Sequence, residues 1–292
     1  MIPALDDLRS YLGRTAGMRL AAGEACYAEN RLAALLRAPE GKALPRLLAQ
    51  LDPDGSGPLA RELIEALTCR ETWFFRDRAP FDDFSRRQIP ALAQHRAAGK
   101  TLRVWSAGCS SGQETYSLAM RLQELRSQFA GWRVDIVGTD ISSVIIERAK
   151  RGAFSDSEIQ RGLPVRALLN HVEQLPAPDA RTWRMRASLR AAVDFRVHNL
   201  LDDCASLGLF DVIFCRNVLS HMHMGAQRTV LANLAGQLAE GGHMVLGEAE
   251  TPWSLTAVFA PAGPAPGVFE RRAYPLSQSP RKASHLRLIA CN

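Results

Sequence analysis

The sequence has no C-x-x-C pair. Its six cysteines, Cys26, Cys69, Cys109, Cys204, Cys215 and Cys291, are scattered, which excludes a paired-cysteine motif and reads as free thiols in a reducing compartment. No apolar run approaches the roughly 20 residues that span a bilayer. The opening MIPALDDLRSYLGR carries Asp6 and Asp7 and lacks a long apolar stretch, so it does not read as a signal peptide. A cytoplasmic location without membrane insertion is expected. Positive charge is not concentrated either. The net charge is +6 over 292 residues, and Arg86-Arg87, Arg271-Arg272 and Arg281-Lys282 stand apart from one another and from aromatics. No nucleic-acid partner is expected from that pattern, while a mild positive balance suits an acidic partner surface.

What is present is ordinary for a globular chain: 47% hydrophobic and 23% charged residues. Residues 1–67 show helical spacing and no strand signal. Leu5, Leu8, Tyr11 and Leu12 mark a first helix, Glu24–Arg37 a second, Leu44–Leu51 a third and Leu59–Leu67 a fourth after the loop Asp52–Pro58. This predicts a small all-α N-terminal domain, followed by a linker and lid over 68–100. From residue 101 to 272 strands and helices alternate. Leu102–Ala107, Val134–Ile141, Val193–Leu200, Phe210–Asn217 and Gly241–Glu248 are the predicted buried strands, with Gly267–Arg272 as a final one. Near-continuous apolar strands separated by helices predict an α/β fold with a parallel sheet covered on both faces. The pattern weakens between Phe154 and Ala192, and a small β-rich insert over about 160–192 is expected there. A loose tail is expected over 273–292.

The most informative stretch is Leu102–Leu118, a strand that breaks into the turn Ala107-Gly108-Cys109-Ser110-Ser111-Gly112 and then a helix. Strand, glycine turn and helix open a nucleotide-binding α/β unit. The turn matches neither G-x-x-x-x-G-K-[ST] nor G-x-G-x-x-G, so an adenosine ligand without pyrophosphate, S-adenosylmethionine first, fits it better. In such sheets ligands sit beyond the carboxyl ends of the strands. Asp140 ends the second strand and is placed to accept from ribose hydroxyls, or alternatively to cap the next helix. Glu114, in the first turn of its helix, either complements the helix dipole or pairs with an amino group. Asn199 and Leu200 end the third strand, where an amide can meet an adenine edge and an apolar neighbour its face. Arg216 and Asn217 end the fourth; an arginine leaving a buried strand needs an anion, from a ligand or from a structural salt bridge. Thr68–Asp77 holds the aromatic cluster Trp73-Phe74-Phe75 between Arg70 and Arg76, which reads as a domain linker or as a lid directing Arg76 at substrate. His221 and His223 in HMHM lack companion ligands in sequence, so no metal site is expected.

The segments LIEALTCRETWFFRD, RVWSAGCSSGQETYSLAM, VGTDIS, FRVHNLLDD and FDVIFCRNV occur in the order and spacing of the CheR-type chemotaxis receptor methyltransferases, and the chain resembles that family from about Ala16 to Arg271. The resemblance implies a class I (Rossmann-like) methyltransferase sheet with S-adenosylmethionine as cofactor and S-adenosylhomocysteine as product. It implies cofactor contacts from Thr72, Arg76, Ala107, Gly108, Glu114, Asp140, Asn199, Leu200, Arg216 and Asn217. The partner it implies is the acidic methylation region of a chemoreceptor's cytoplasmic helical domain, and a monomer is expected.

Three places depart from the family pattern. Arg70 stands where Asn is usual. Ser220-His221-Met222 replaces a run with a central Tyr. Glu24, Ala34 and Leu35 occupy places that are usually basic on the second helix. The implied reaction is in-line methyl transfer to a glutamate carboxylate, which with an ordinary pKa of about 4.3 needs no strong base at neutral pH. Arg76 would hold the carboxylate. His221 would donate a hydrogen bond from the place of the Tyr.

Overall fold

The computed structural model describes residues 2–21, 25–36, 44–176 and 181–272. The expected tail over 273–292 lies outside the described residues, as does Glu24.

The chain begins with four helices: α1 (Ile2–Ala16), α2 (Ala25–Leu36), α3 (Leu44–Leu48) and α4 (Pro58–Leu67). Leu8, Tyr11, Leu12 and Ala16 of α1 recur at helical spacing. They close a separate core with Ala28 and Leu32 of α2, Leu47 of α3 and Ala60, Leu63, Ile64 and Leu67 of α4. The stretch after Asp77 is not an open linker. It folds into α5 (Ala79–Asp83), a π turn over Phe84–Gln88 and α6 (Ile89–His95). Phe81 and Phe84 both pack on Phe214 of the sheet, with ring centroids 5.8 and 5.5 Å away.

The remaining elements are β1 (Thr101–Ala107), α7 (Gln113–Glu124), β2 (Arg133–Asp140), α8 (Ser143–Arg151), β3 (Ala153–Ser155), α9 (Asp156–Gln160), α10 (Val165–His171), β4 (Val172–Gln174), β5 (Thr182–Met185), α11 (Ala187–Ala191), β6 (Val193–Val197), β7 (Phe210–Cys215), α12 (Met224–Gln237), β8 (Leu238–Leu246), β9 (Phe259–Pro261) and β10 (Val268–Arg271). Seven strands form one sheet in the order β6-β2-β1-β7-β8-β10-β9. The first five run parallel, and β10 pairs antiparallel with both β8 and β9. Alternate residues feed opposite faces: Leu102 and Val104 of β1 enter one core, Trp105 and Ala107 the other. The insert is an antiparallel sheet β3-β5-β4 with short helices around it, and its first strand begins at Ala153, ahead of the expected start. Helix α7 ends at Glu124, and a 3₁₀ turn over Arg126–Phe129 follows it.

From β1 the chain moves outward through β2 to β6, then returns across β1 to β7. The order reverses beside β1, and a crevice opens there at the carboxyl ends of the strands. The helical domain closes over this edge. Met18 bridges Met222 antiparallel, the Arg19 N–H donates to the His221 carbonyl at 2.8 Å, and the His223 N–H donates to the Gly17 carbonyl at 3.1 Å.

Candidate cofactor and acceptor site

The turn after β1 is built by its backbone. The N–H groups of Gly108 and Cys109 both donate to the Thr139 carbonyl at 2.8 Å, which bends the chain over the end of β2. Gly108 has φ +79°, and a Cβ there would collide with the Val218 side chain. Glycine is required on both counts.

Asp140 ends β2 inside this bend. Its carboxylate accepts the Ser110 N–H at 2.9 Å and the Ser142 N–H at 3.0 Å. Burial raises its pKa, against the pull of the Ser142, Ser110 and Ile141 N–H groups and of Arg70. The capping of α8 falls to Ser142, whose hydroxyl accepts the Ile145 N–H at 3.2 Å. The Asp140 carboxylate is thus not consumed as the helix cap, and it lines a cavity.

Glu114 lies in the first turn of α7. It accepts the Ser106 hydroxyl at 2.8 Å and a proton of the Arg216 guanidinium at 3.3 Å. Burial raises its pKa, partly offset by Arg216, Ser106 and Arg76. Arg216, with a side chain only 1% exposed, forms the structural salt bridge that was one of its two readings. Its Nη2 donates to Asp77 at 2.7 Å and to the Arg76 carbonyl at 3.0 Å. The same side chain lines the cavity.

Asn199 is partly committed. Its amide nitrogen donates to the Thr15 carbonyl of α1 at 2.8 Å, and its carbonyl accepts the Leu201 N–H at 3.1 Å. One amide hydrogen remains for a ligand. Asn217 adopts φ +57°, an uncommon conformation for a residue other than glycine. Its Oδ1 is buried with no protein partner, as is Arg76 Nε.

Thr72, Arg76, Gly108, Glu114, Asp140, Asn199, Leu200, Arg216, Asn217 and His221 all line one cavity holding about 1000 Å³ of empty space, open mouth included. Ala107 does not: it is fully buried in the core beneath the turn. His221 is exposed at the end of a 3₁₀ turn over Leu219–His221. Arg70 turns back, donating to the Glu65 carbonyl at 2.8 Å.

Sequence reading missed several contributors. Ala16 and Met18 bring the helical domain into the wall, and Cys69, Ile141 and His198 also line it. Ser106 and Asp77 hold Glu114 and Arg216. Glu250, 8% exposed, accepts the N–H groups of Asn217 at 2.7 Å, Gly247 at 2.9 Å and Ser220 at 3.0 Å, which fixes the loop after β7. A carboxylate just past the end of a buried strand was the available signal, the same signal that singled out Asp140.

Chemically, the cavity offers the carboxylates of Glu71, Glu114 and Asp140, the guanidiniums of Arg76 and Arg216, two unpartnered buried polar atoms and apolar wall from Leu200, Val218 and Met222. That set fits a cationic adenosine compound bearing a diol and an amino group. Residues 70–263, more than half of the chain, match the family described as CheR methyltransferase, SAM binding domain. The chain is 34% identical over 266 residues to Chemotaxis protein methyltransferase 1 of Pseudomonas aeruginosa, covering 90% of this chain and 95% of that one. It is 33% identical over 248 residues to Chemotaxis protein methyltransferase Cher2 of Pseudomonas putida, covering 84% and 89%. It is 31% identical over 264 residues to Chemotaxis protein methyltransferase of Vibrio parahaemolyticus, covering 90% and 94%. With the family matched across the sheet that builds this cavity, and full-length relatives matched beyond it, the chain belongs to the CheR methyltransferases and is an S-adenosylmethionine-dependent enzyme of chemotaxis.

Proposed function

We propose that this enzyme methylates glutamate side chains of chemoreceptors, forming glutamate methyl esters. The observation that carries the reading is the convergence of Glu114, Asp140 and Arg76 on one cavity with His221 at its exposed side. Asp140 receives the ribose hydroxyls on the lone pairs that Ser110 and Ser142 leave free. Glu114, fixed by Ser106 and Arg216, pairs with the amino group of the methionine moiety. The remaining Asn199 amide hydrogen and the Leu200 side chain meet the adenine, while Thr72, Gly108 and Asn217 complete the enclosure. Arg216 acts by holding Glu114, the Arg76 carbonyl and the Asp77 carboxylate in place.

The cofactor supplies an electrophilic methyl on a sulfonium. Arg76 contacts the cofactor and holds the incoming carboxylate by charge-assisted hydrogen bonds. An ionised glutamate, ordinarily with a pKa of about 4.3, needs no proton removed at neutral pH. The protein's work is therefore orientation and exclusion of water. His221 can donate a hydrogen bond to the acceptor from the rim.

The test is incubation with methyl-labelled S-adenosylmethionine and a chemoreceptor cytoplasmic fragment. Label on the receptor that mild base releases as methanol is expected, because a carboxylate ester hydrolyses there. Base-stable label would contradict the ester, and label confined to other acceptors would replace the receptor. One observation favours that second reading. The single basic residue of α2, Arg31, donates to the Ala66 carbonyl at 2.6 Å and the Thr68 carbonyl at 2.9 Å. Helix α2 therefore offers an acidic receptor helix little positive surface.

A further inference from the structure

The segment Thr68–Asp77, which brings Arg76 to the cavity, is gripped from behind by the insert. Phe74 packs edge-on against Phe154 of β3 with ring centroids 5.0 Å apart. Gly162, just past α9, lies against the Phe74 carbonyl so closely that any Cβ would collide with that oxygen, and its φ is +93°. A bare backbone is the condition for this approach.

Beside that contact, two guanidiniums share one indole. Arg161 lies 4.1 Å from the Trp73 ring centre and Arg76 lies 4.3 Å from it. Arg161 also pairs with the Glu71 carboxylate at 2.9 Å, while the Glu71 carbonyl accepts Arg76 Nη1 at 3.2 Å. Arg161 therefore touches both groups that fix the Arg76 guanidinium: the ring it stacks on and the residue whose carbonyl it bonds.

We infer that Arg161 is a positioning residue for Arg76, and that through it the insert sets the geometry of the site. The inference rests on the reading of Arg76 as a ligand-contacting residue. Arg161 and Glu71 have side chains 53% and 59% exposed, so their pairing adds little to the stability of the fold. Its effect falls on orientation. Without Arg161, Trp73 loses one of its two cations and Glu71 its partner, and the Arg76 side chain is freer to leave the cavity wall.

The test is a calorimetric titration with S-adenosylhomocysteine of full-length wild type, Arg161→Ala, Arg161→Lys, Arg76→Ala and the Arg76→Ala/Arg161→Ala double variant. Arg161→Ala is expected to weaken binding about threefold, the scale of one exposed cation–π contact. Arg161→Lys keeps a cation for both Trp73 and Glu71 and is expected to recover most of the loss. The double variant is expected to bind as Arg76→Ala does alone, because Arg161 acts through Arg76. Effects that multiply in the double variant would overturn the inference, since Arg161 would then act without Arg76. So would an unchanged Arg161→Ala beside a weakened Arg76→Ala, which leaves the cofactor reading standing. An unchanged Arg76→Ala would instead remove the ligand role of Arg76, and the inference with it.

Discussion

Burial works against ionisation at the two buried carboxylates of the cavity, and different partners offset it at each. Asp140 relies on backbone N–H groups, whereas Glu114 relies on Ser106 and the Arg216 guanidinium. The thiols around them divide in the same physical way. Cys109 and Cys215 are buried and their pKa values are pushed well above the ordinary range, first by burial and then by nearby carboxylates. Cys69 is exposed and lines the cavity. Among the described cysteines, Cys69 is expected to be alkylated first by iodoacetamide at neutral pH, and saturating S-adenosylhomocysteine is expected to slow it. Peptide mass spectrometry over time checks both. Faster modification of Cys109, or no protection at Cys69, would contradict the placement of the ligand. Much of this residue-level picture was legible in the sequence, because Glu114, Asp140, Asn199 and Arg216 follow strand ends that apolar patterning reveals. The partners Asp77 and Ser106 were not. They come from segments whose approach depends on tertiary packing.

Elements were legible in proportion to their length and period. The parallel strands announced themselves, but α5 and α6 did not. Pro80 and Pro90 suggest interruption in a sequence, yet Pro80 occupies the first turn of α5, where a proline costs little, and Pro90 directly follows the π turn, through which the helical conformation continues into α6. Strand β9 is three residues long and contains Pro261 at an edge, so it carries little signal. What holds these elements to the sheet is specific. Asp211 of β7 accepts Arg96, at the end of α6, at 2.7 Å and the Arg103 N–H of β1 at 2.8 Å, with a side chain 8% exposed. Asp211→Ala leaves the Arg103 N–H without its acceptor and the Arg96 guanidinium with the Glu240 carbonyl in place of an ion pair. A loss of about 2 kcal/mol in urea unfolding is expected, less than for a fully buried pair because Arg96 is 31% exposed. Asp211→Ala unfolding at the wild-type midpoint would show that α6 is held without the Asp211 carboxylate.

At the scale of the whole molecule, the helical domain and the sheet meet over one crevice. The helical domain contributes Ala16 and Met18 to the wall and anchors Asn199 through Thr15, so the site belongs to neither part alone. Nothing in the sequence marks the contact that runs through backbone groups of residues 17–19 and 221–223. The response to acid is also collective. His171, His198 and His243 all have lowered pKa values, with burial as the largest cause. The unfolded chain then binds more protons than the folded one below about pH 6.5, so this contribution to stability is complete above that pH and falls as acid is added. The raised pKa values of Glu114 and Asp140 act with the opposite sign, in a window that opens at the ordinary carboxylate range. Beside Arg87, His243 is costly to charge, and its buried Nδ1 has no partner. The thermal midpoint of His243→Gln is expected to fall less than that of wild type between pH 7.5 and 6; parallel curves would contradict this assignment.

The central claim is that the cofactor lies at the carboxyl ends of β1 and β2 with Asp140 as its ribose acceptor. The most direct measurement is the affinity of wild type and Asp140→Ala for S-adenosylhomocysteine, taken by calorimetry with circular dichroism confirming that both are folded. Losing two hydrogen bonds to a charged acceptor is expected to weaken binding roughly 100-fold. A folded Asp140→Ala that binds as tightly as wild type would contradict the account.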